Sequence, residues 1–211
     1  AFPNANAAWG TVAISPDGER MVYSANDRLY LRSMSQLESR PIQGTDGDSR
    51  EPVFSPDGRS LAFYSVVDRT IKRVALSGGA PVTICRAEDP NGLSWGPDSI
   101  LFGAGGKGIM RVSPNGGTPE VLVRVKDDEV ADGPQLLPGG QHVMFTLARG
   151  TDSDRWSKAQ VVVQSLGSGQ RTTIIDGGAD ARYLPTGHLA YALSGQVFAV
   201  AFDVQRLKTT G

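Results

Sequence analysis

The chain has 211 residues, of which 39% are hydrophobic and 20% charged, so it carries enough apolar matter for a packed core and is not a disordered segment. Its formal net charge of −1 gives no general attraction to nucleic acid or an anionic membrane. The single cysteine, Cys85, excludes an internal disulfide and any zinc site needing two thiolates. No apolar run approaches about 18 residues, so no membrane span is expected within the chain, and no leader pattern opens it.

Glycine is in excess, at 26 residues, and it falls in a repeat. Ile14-Ser15-Pro16-Asp17-Gly18 returns as Phe54-Ser55-Pro56-Asp57-Gly58 and as Trp95-Gly96-Pro97-Asp98-Ser99. Weaker copies are Leu136-Leu137-Pro138-Gly139-Gly140 and Tyr183-Leu184-Pro185-Thr186-Gly187. The anchor prolines at 16, 56, 97, 138 and 185 are thus spaced by 40, 41, 41 and 47. Pro-Asp-Gly is a turn with a mechanism: proline presets φ, aspartate binds its own backbone, and glycine takes positive φ.

In chain order, each unit has an apolar stretch before the turn and a β-rich run after it, such as Leu61-Ala62-Phe63-Tyr64 or Val143-Met144-Phe145-Thr146-Leu147. A third run follows at Leu29-Tyr30-Leu31, Ile71–Val74, Ile109–Val112 and Val161-Val162-Val163. A fourth stands at Pro81–Ile84, Glu120–Val123 and Thr172–Ile175. No stretch keeps a helical period. Four short strands per unit of 40 to 45 residues predict an all-β propeller of four-stranded antiparallel blades, in one domain over 1–211. The units run over roughly 9–42, 50–84, 92–123, 134–175 and 181–211. The fifth unit reads as lacking its outer strand, which predicts self-association through open blade edges.

Ser-Pro-Asp-Gly-Arg-x-Leu-Ala-Phe, intact over Ser55–Phe63, resembles the blade repeat of the TolB-type, WD-like β-propellers. Three longer strings are similar to the propeller that follows the membrane helix in many bacterial serine/threonine kinases: Gly78–Cys85, Ser94–Asp98 and Asp180–Leu189. The resemblance implies a binding or sensing platform in an extracytoplasmic setting, periplasmic or at the cell surface. No kinase motif stands in these residues.

The resemblance also implies that the connectors between blades, 43–51, 86–92, 125–134 and 176–182, surround one mouth of a channel. They hold eleven of the 22 acidic residues and four of the 21 basic ones. Concentrated charge of one sign focuses a field. The expected partner is therefore a protein or peptide of basic character. It would be met by Asp46, Asp48, Glu51, Glu88, Asp89, Asp127, Asp128, Glu129, Asp132 and Asp180, with Arg182 among them. Trp156 of the insertion 149–159 is an added contact. A divalent cation, Ca²⁺ by its oxygen chemistry, is the alternative occupant, with Asp127, Asp128 and Asp132 as ligands, although no connector has the spacing of a dedicated calcium loop. No other cofactor is implied.

A catalytic alternative, an esterase or lactonase-like hydrolase on the propeller scaffold, rests on a metal at the acidic mouth or on Gly92-Leu93-Ser94-Trp95-Gly96, which fits the nucleophile-elbow string of α/β hydrolases. The mechanism needs a sharp strand-to-helix bend and a base. No helix is predicted after Ser94. The only histidines, His142 and His188, start strands on the turn side of their units.

Overall fold

The structure, a computed structural model, describes residues 12–152 and 155–210. The opening residues, Trp9 among them, and positions 153 and 154 of the insertion lie outside those described.

The described strands form five four-stranded sheets, each running in simple chain order from inner to outer strand. The first blade is β1 (Val12–Ile14), β2 (Arg20–Ala25), β3 (Arg28–Ser33) and β4 (Ser39–Pro41). The second is β5 (Ser49–Phe54), β6 (Ser60–Ser65), β7 (Thr70–Ala75) and β8 (Val82–Arg86). The third is β9 (Asn91–Trp95), β10 (Ile100–Gly103), β11 (Ile109–Val112) and β12 (Glu120–Val123). The fourth is β13 (Glu129–Leu136), β14 (His142–Arg149), β15 (Gln160–Ser165) and β16 (Arg171–Asp176). The fifth is β17 (Ala179–Leu184), β18 (His188–Leu193), β19 (Gln196–Asp203) and β20 (Lys208–Thr209). The fifth blade therefore does have an outer strand, a two-residue one. Helix among the described residues is one 3₁₀ turn, Arg155–Lys158. This is a β-propeller fold. The described residues group into two compact units, one reaching to Ile100 with Arg111–Glu120, the other Leu101–Met110 with the residues from Val121 onward.

The repeated turn is the local cause of the blades. The Ser55 hydroxyl donates to Asp57 Oδ1 at 2.6 Å and accepts the Ser60 amide at 2.9 Å. Asp57 Oδ1 also accepts the Arg59 amide at 3.0 Å, and the Gly58 amide closes the turn on the Ser55 carbonyl at 2.8 Å. Ser15, Asp17, Glu19 and Arg20 repeat the same bonds in the first blade. Both serines are buried, so the bonds stand in place of water. Hydrogen bonds from the two serine hydroxyls hold the Asp17 and Asp57 carboxyls below the ordinary aspartate value.

Strand alternation then builds the core. In β14, Val143, Phe145 and Leu147 face a cluster with Leu101, Ile109, Val123 and Val162, while Met144 packs with Val161, Val163, Leu189 and Phe202 on the other face. A strand covered on both sides reads as an unbroken apolar run, as this one does. In the other unit Val22, Leu29 and Leu31 of the first blade pack on Phe54, Leu61 and Phe63 of the second. Each such side chain contributes about 1.5–3 kcal/mol by leaving water. The first and fifth blades are less well covered: Ile14 is 60% exposed and Val197 81% exposed.

Candidate functional site

The acidic segments expected in connectors are partly strands, because three of the inner strands contain a kink. Register slips by one residue between Arg50 and Val53 in β5, between Asp132 and Gln135 in β13, and between Ala179 and Arg182 in β17. The extra residue takes a left-handed conformation at Glu51 (φ 53°), Gly133 (φ 57°) and Asp180 (φ 52°). Gly92, with φ 66°, does the same in β9. All four stand five places before an anchor proline. Such a bulge re-aims the strand while the ladder resumes beyond it. Glu51, Glu129, Asp132 and Asp180 belong to strands, and the first two are buried, at 9% and 2% exposure.

In the first unit, Asp46 forms an ion pair with Arg28, and Asp48 takes Arg50 at both oxygens, at 2.7 and 2.5 Å. The bond to Asp48 raises the Arg50 pKa above its ordinary value. These pairs are solvated and are worth about 0–1 kcal/mol each. Glu88 and Asp89 are exposed. The Asp89 amide donates to the Tyr64 hydroxyl at 3.4 Å, which ties the start of the third blade to the second.

In the second unit, Asp127 and Asp128 are exposed, and no cation among the described residues pairs with either. The Gly150 amide donates to the Asp128 carbonyl at 2.8 Å, so the connector and the 149–159 insertion share one end of the fourth blade. There Trp156 sits half-buried in its 3₁₀ turn with the Arg155 guanidinium 5.4 Å from the ring centre. Arg182 is turned inward: its Nη1 donates to the Gly133 carbonyl at 2.8 Å. Glu129 is spent on structure. Its Oε2 accepts Arg171 Nη1 at 2.8 Å and the Lys126 amide at 3.1 Å, and its Oε1 accepts Arg149 Nε at 3.3 Å. Burial pushes the Glu129 carboxyl up, but the Lys126 amide and the two guanidiniums outweigh it, and the net pKa lies below the ordinary glutamate value.

Ser94 lies on β9 with its Oγ buried and without a hydrogen bond. The strand continues through a turn, closed by the Gly96 amide on the Ser99 carbonyl at 2.8 Å, into β10 rather than into a helix. His142 opens β14, and His188 opens β18 with Nδ1 against Thr186 at 3.1 Å. Among the described residues, no three of His, Cys, Asp and Glu gather as a metal-ligand set; this includes Asp127, Asp128 and Asp132. Cys85 is buried in β8, and burial pushes its thiol up to about 11.

Two solved structures carry the decisive likeness. A TolB from Agrobacterium tumefaciens superposes with a TM-score of 0.72 at 17% identity, covering 95% of this chain and 79% of that one. TolB from Acinetobacter baumannii superposes with a TM-score of 0.71 at 18% identity, covering 91% of this chain and 52% of that one. The chain has the TolB-type propeller fold. At these identities the likeness is one of architecture, and enzymes share it: an oligogalacturonate lyase in complex with manganese has a TM-score of 0.65 at 10% identity, over 95% of this chain and 63% of its own. No protein-family model and no curated protein matches the sequence. Among the described residues, no helix is long and apolar enough to cross a membrane.

The kinked inner strand is the feature that sequence reasoning missed. Its signal was present as a carboxylate or glycine five places before four of the anchor prolines, but in a Gly- and Asp-rich stretch that pattern looks like a loop.

Proposed function

We propose that the chain is a non-catalytic binding or sensing propeller that presents acidic loop ends to a basic protein or peptide in an extracytoplasmic setting. One observation carries the reading. Asp127 and Asp128 are exposed and unpaired among the described residues, and the Asp128–Gly150 bond holds them at the same blade end as the Arg155–Trp156 stack. Unpaired carboxylates attract and steer a cationic chain, and a half-buried tryptophan supplies contact area beside them. Glu88, Asp89 and Asp180 add exposed charge on their own blades. Glu51 and Glu129 have no part in the contact.

Calorimetric titration with a lysine- and arginine-rich peptide tests this. Binding should weaken steeply as salt rises and should fall further in Asp127→Asn/Asp128→Asn and in Trp156→Ala. Binding indifferent to salt and to these changes overturns the reading. An ester and lactone panel run beside it addresses catalysis, since hydrolysis abolished by Ser94→Ala would show the non-catalytic assignment to be mistaken. Thermal shift with millimolar Ca²⁺ addresses the cation. The exposed apolar residues of the first and fifth blades, Ile14 and Val197, support self-association, which light scattering across a concentration series measures.

A further inference from the structure

The fourth blade also carries charge of the opposite sign. The segment entering it reads Arg124-Val125-Lys126 before it turns acidic at Asp127-Asp128-Glu129. Its basic half, together with Arg149 and Arg171, lines an open cavity of about 610 Å³, inside the usual size range of small-molecule sites. Four cations face that cavity against one carboxylate, Glu129.

The floor of the cavity is built and fixed. Arg171 engages each of its three guanidinium nitrogens: Nε donates to Gln164 Oε1 at 2.6 Å, Nη1 to Glu129 at 2.8 Å, and Nη2 to the Arg124 carbonyl. Its guanidinium carbon also lies 5.6 Å from the centre of the Phe145 ring. Glu129 accepts from Arg171, Arg149 and the Lys126 amide, and its single charge offsets one of the four cations. The rim is different. Arg149 uses Nε on Glu129 and Nη1 on Gln160 Oε1 at 2.8 Å, and its half-exposed head keeps Nη2 for another acceptor. Arg124 and Lys126 are exposed, and among the described residues neither side chain has a hydrogen-bond or ion-pair partner. Burying the floor while leaving the rim donors unspent is not what stability alone requires.

We propose that this cavity binds a small oxyanion ligand of two or more charges, carboxylate or phosphate, gripped by Arg124, Lys126 and Arg149 above the Glu129–Arg171 floor. Guanidinium forks match both kinds of oxygen in pairs, and a lysine adds an adaptable point charge. The volume exceeds what a single inorganic ion fills, which favours a ligand with several oxyanion groups. The site adjoins the acidic blade end, with Lys126 next to Asp127 and Arg149 next to Gly150, and it selects ligands of the opposite charge.

Isothermal titration of the full chain with inorganic pyrophosphate and, separately, with citrate tests the site, each at ionic strength matched with sodium chloride. The expected result is saturable binding of at least one probe. Arg124→Ala/Lys126→Ala should weaken it by about tenfold or more, as the loss of two charge-assisted contacts implies. Lys126→Gln, which removes one exposed charge, should weaken it to a lesser degree. A preference for pyrophosphate marks a phosphate ligand and a preference for citrate a carboxylate one. The melting temperature of each variant without probe should equal that of the parent, because neither side chain supports the fold. No saturable binding of either probe at millimolar concentration, or binding unchanged in both variants, overturns the proposal.

Discussion

The Gln135 carboxamide is bonded to both backbone groups of Tyr183: its Oε1 accepts the amide at 2.7 Å and its Nε2 donates to the carbonyl at 3.2 Å. The side chain thus acts as one more rung of β-ladder between the inner strands of the fourth and fifth blades. Gln135→Leu keeps the size and removes both bonds, leaving two part-buried backbone groups unmet. It should cost about 1–3 kcal/mol, read as a lower urea midpoint with unchanged slope.

Glu129 is a buried carboxylate shared by Arg149 and Arg171. Glu129→Ala strands Arg171 over Phe145 without its counter-ion and should cost about 3 kcal/mol or more by urea unfolding. Arg149→Ala removes the exposed partner alone and should cost about 1 kcal/mol or less. Equal losses for the two would mean that the clamp is not what holds this blade.

The same residue gives acid sensitivity with a definite sign. The folded Glu129 pKa is depressed, so its contribution is present above the unfolded value of about 4.3 and is lost as pH falls from there through the folded value. Asp17, Asp57 and Asp68, also depressed, act in the same direction. Denaturation series taken from neutral pH downward should show the parent losing stability below about pH 4.3 more steeply than Glu129→Gln, which has no carboxyl to protonate.

Cys85 should be silent in the native state. Its thiol is 5% exposed and its pKa is pushed to about 11 by burial, so little thiolate exists at neutral pH. Alkylation with iodoacetamide should proceed at the rate of unfolding and become rapid in denaturant. Fast labelling under native conditions would show that β8 opens locally.

The blades were legible in the sequence because their cause is local. Proline, aspartate and glycine fix the first two turns, and Ser15 and Ser55 close them with bonds that span only a few residues. Apolar runs such as 143–147 are strands covered on both faces. The fifth blade's outer strand escaped notice because Lys208–Thr209 is two polar residues, paired with Phe202 and Asp203 only by backbone. The acidic set was half legible. Counting charge found Asp127 and Asp128, but no local rule distinguishes them from Glu129, one residue further on. Glu129 is buried because Arg171, distant in sequence, reaches across the sheet to meet it. The basic cavity escaped for the same reason: Arg124 and Arg149 become neighbours only when β13 and β14 pair.

The left-handed residue five places before Pro56, Pro97, Pro138 and Pro185 has a consequence for how the repeat tolerates change. Side chains on a strand alternate sides, so a single inserted residue ahead of the turn would invert everything upstream of it. The kink supplies a fixed origin from which the alternation is counted, set by the turn and not by the preceding connector. Blades can then lengthen elsewhere, as the fourth does with its insertion and its spacing of 47, while the inner strand stays in phase.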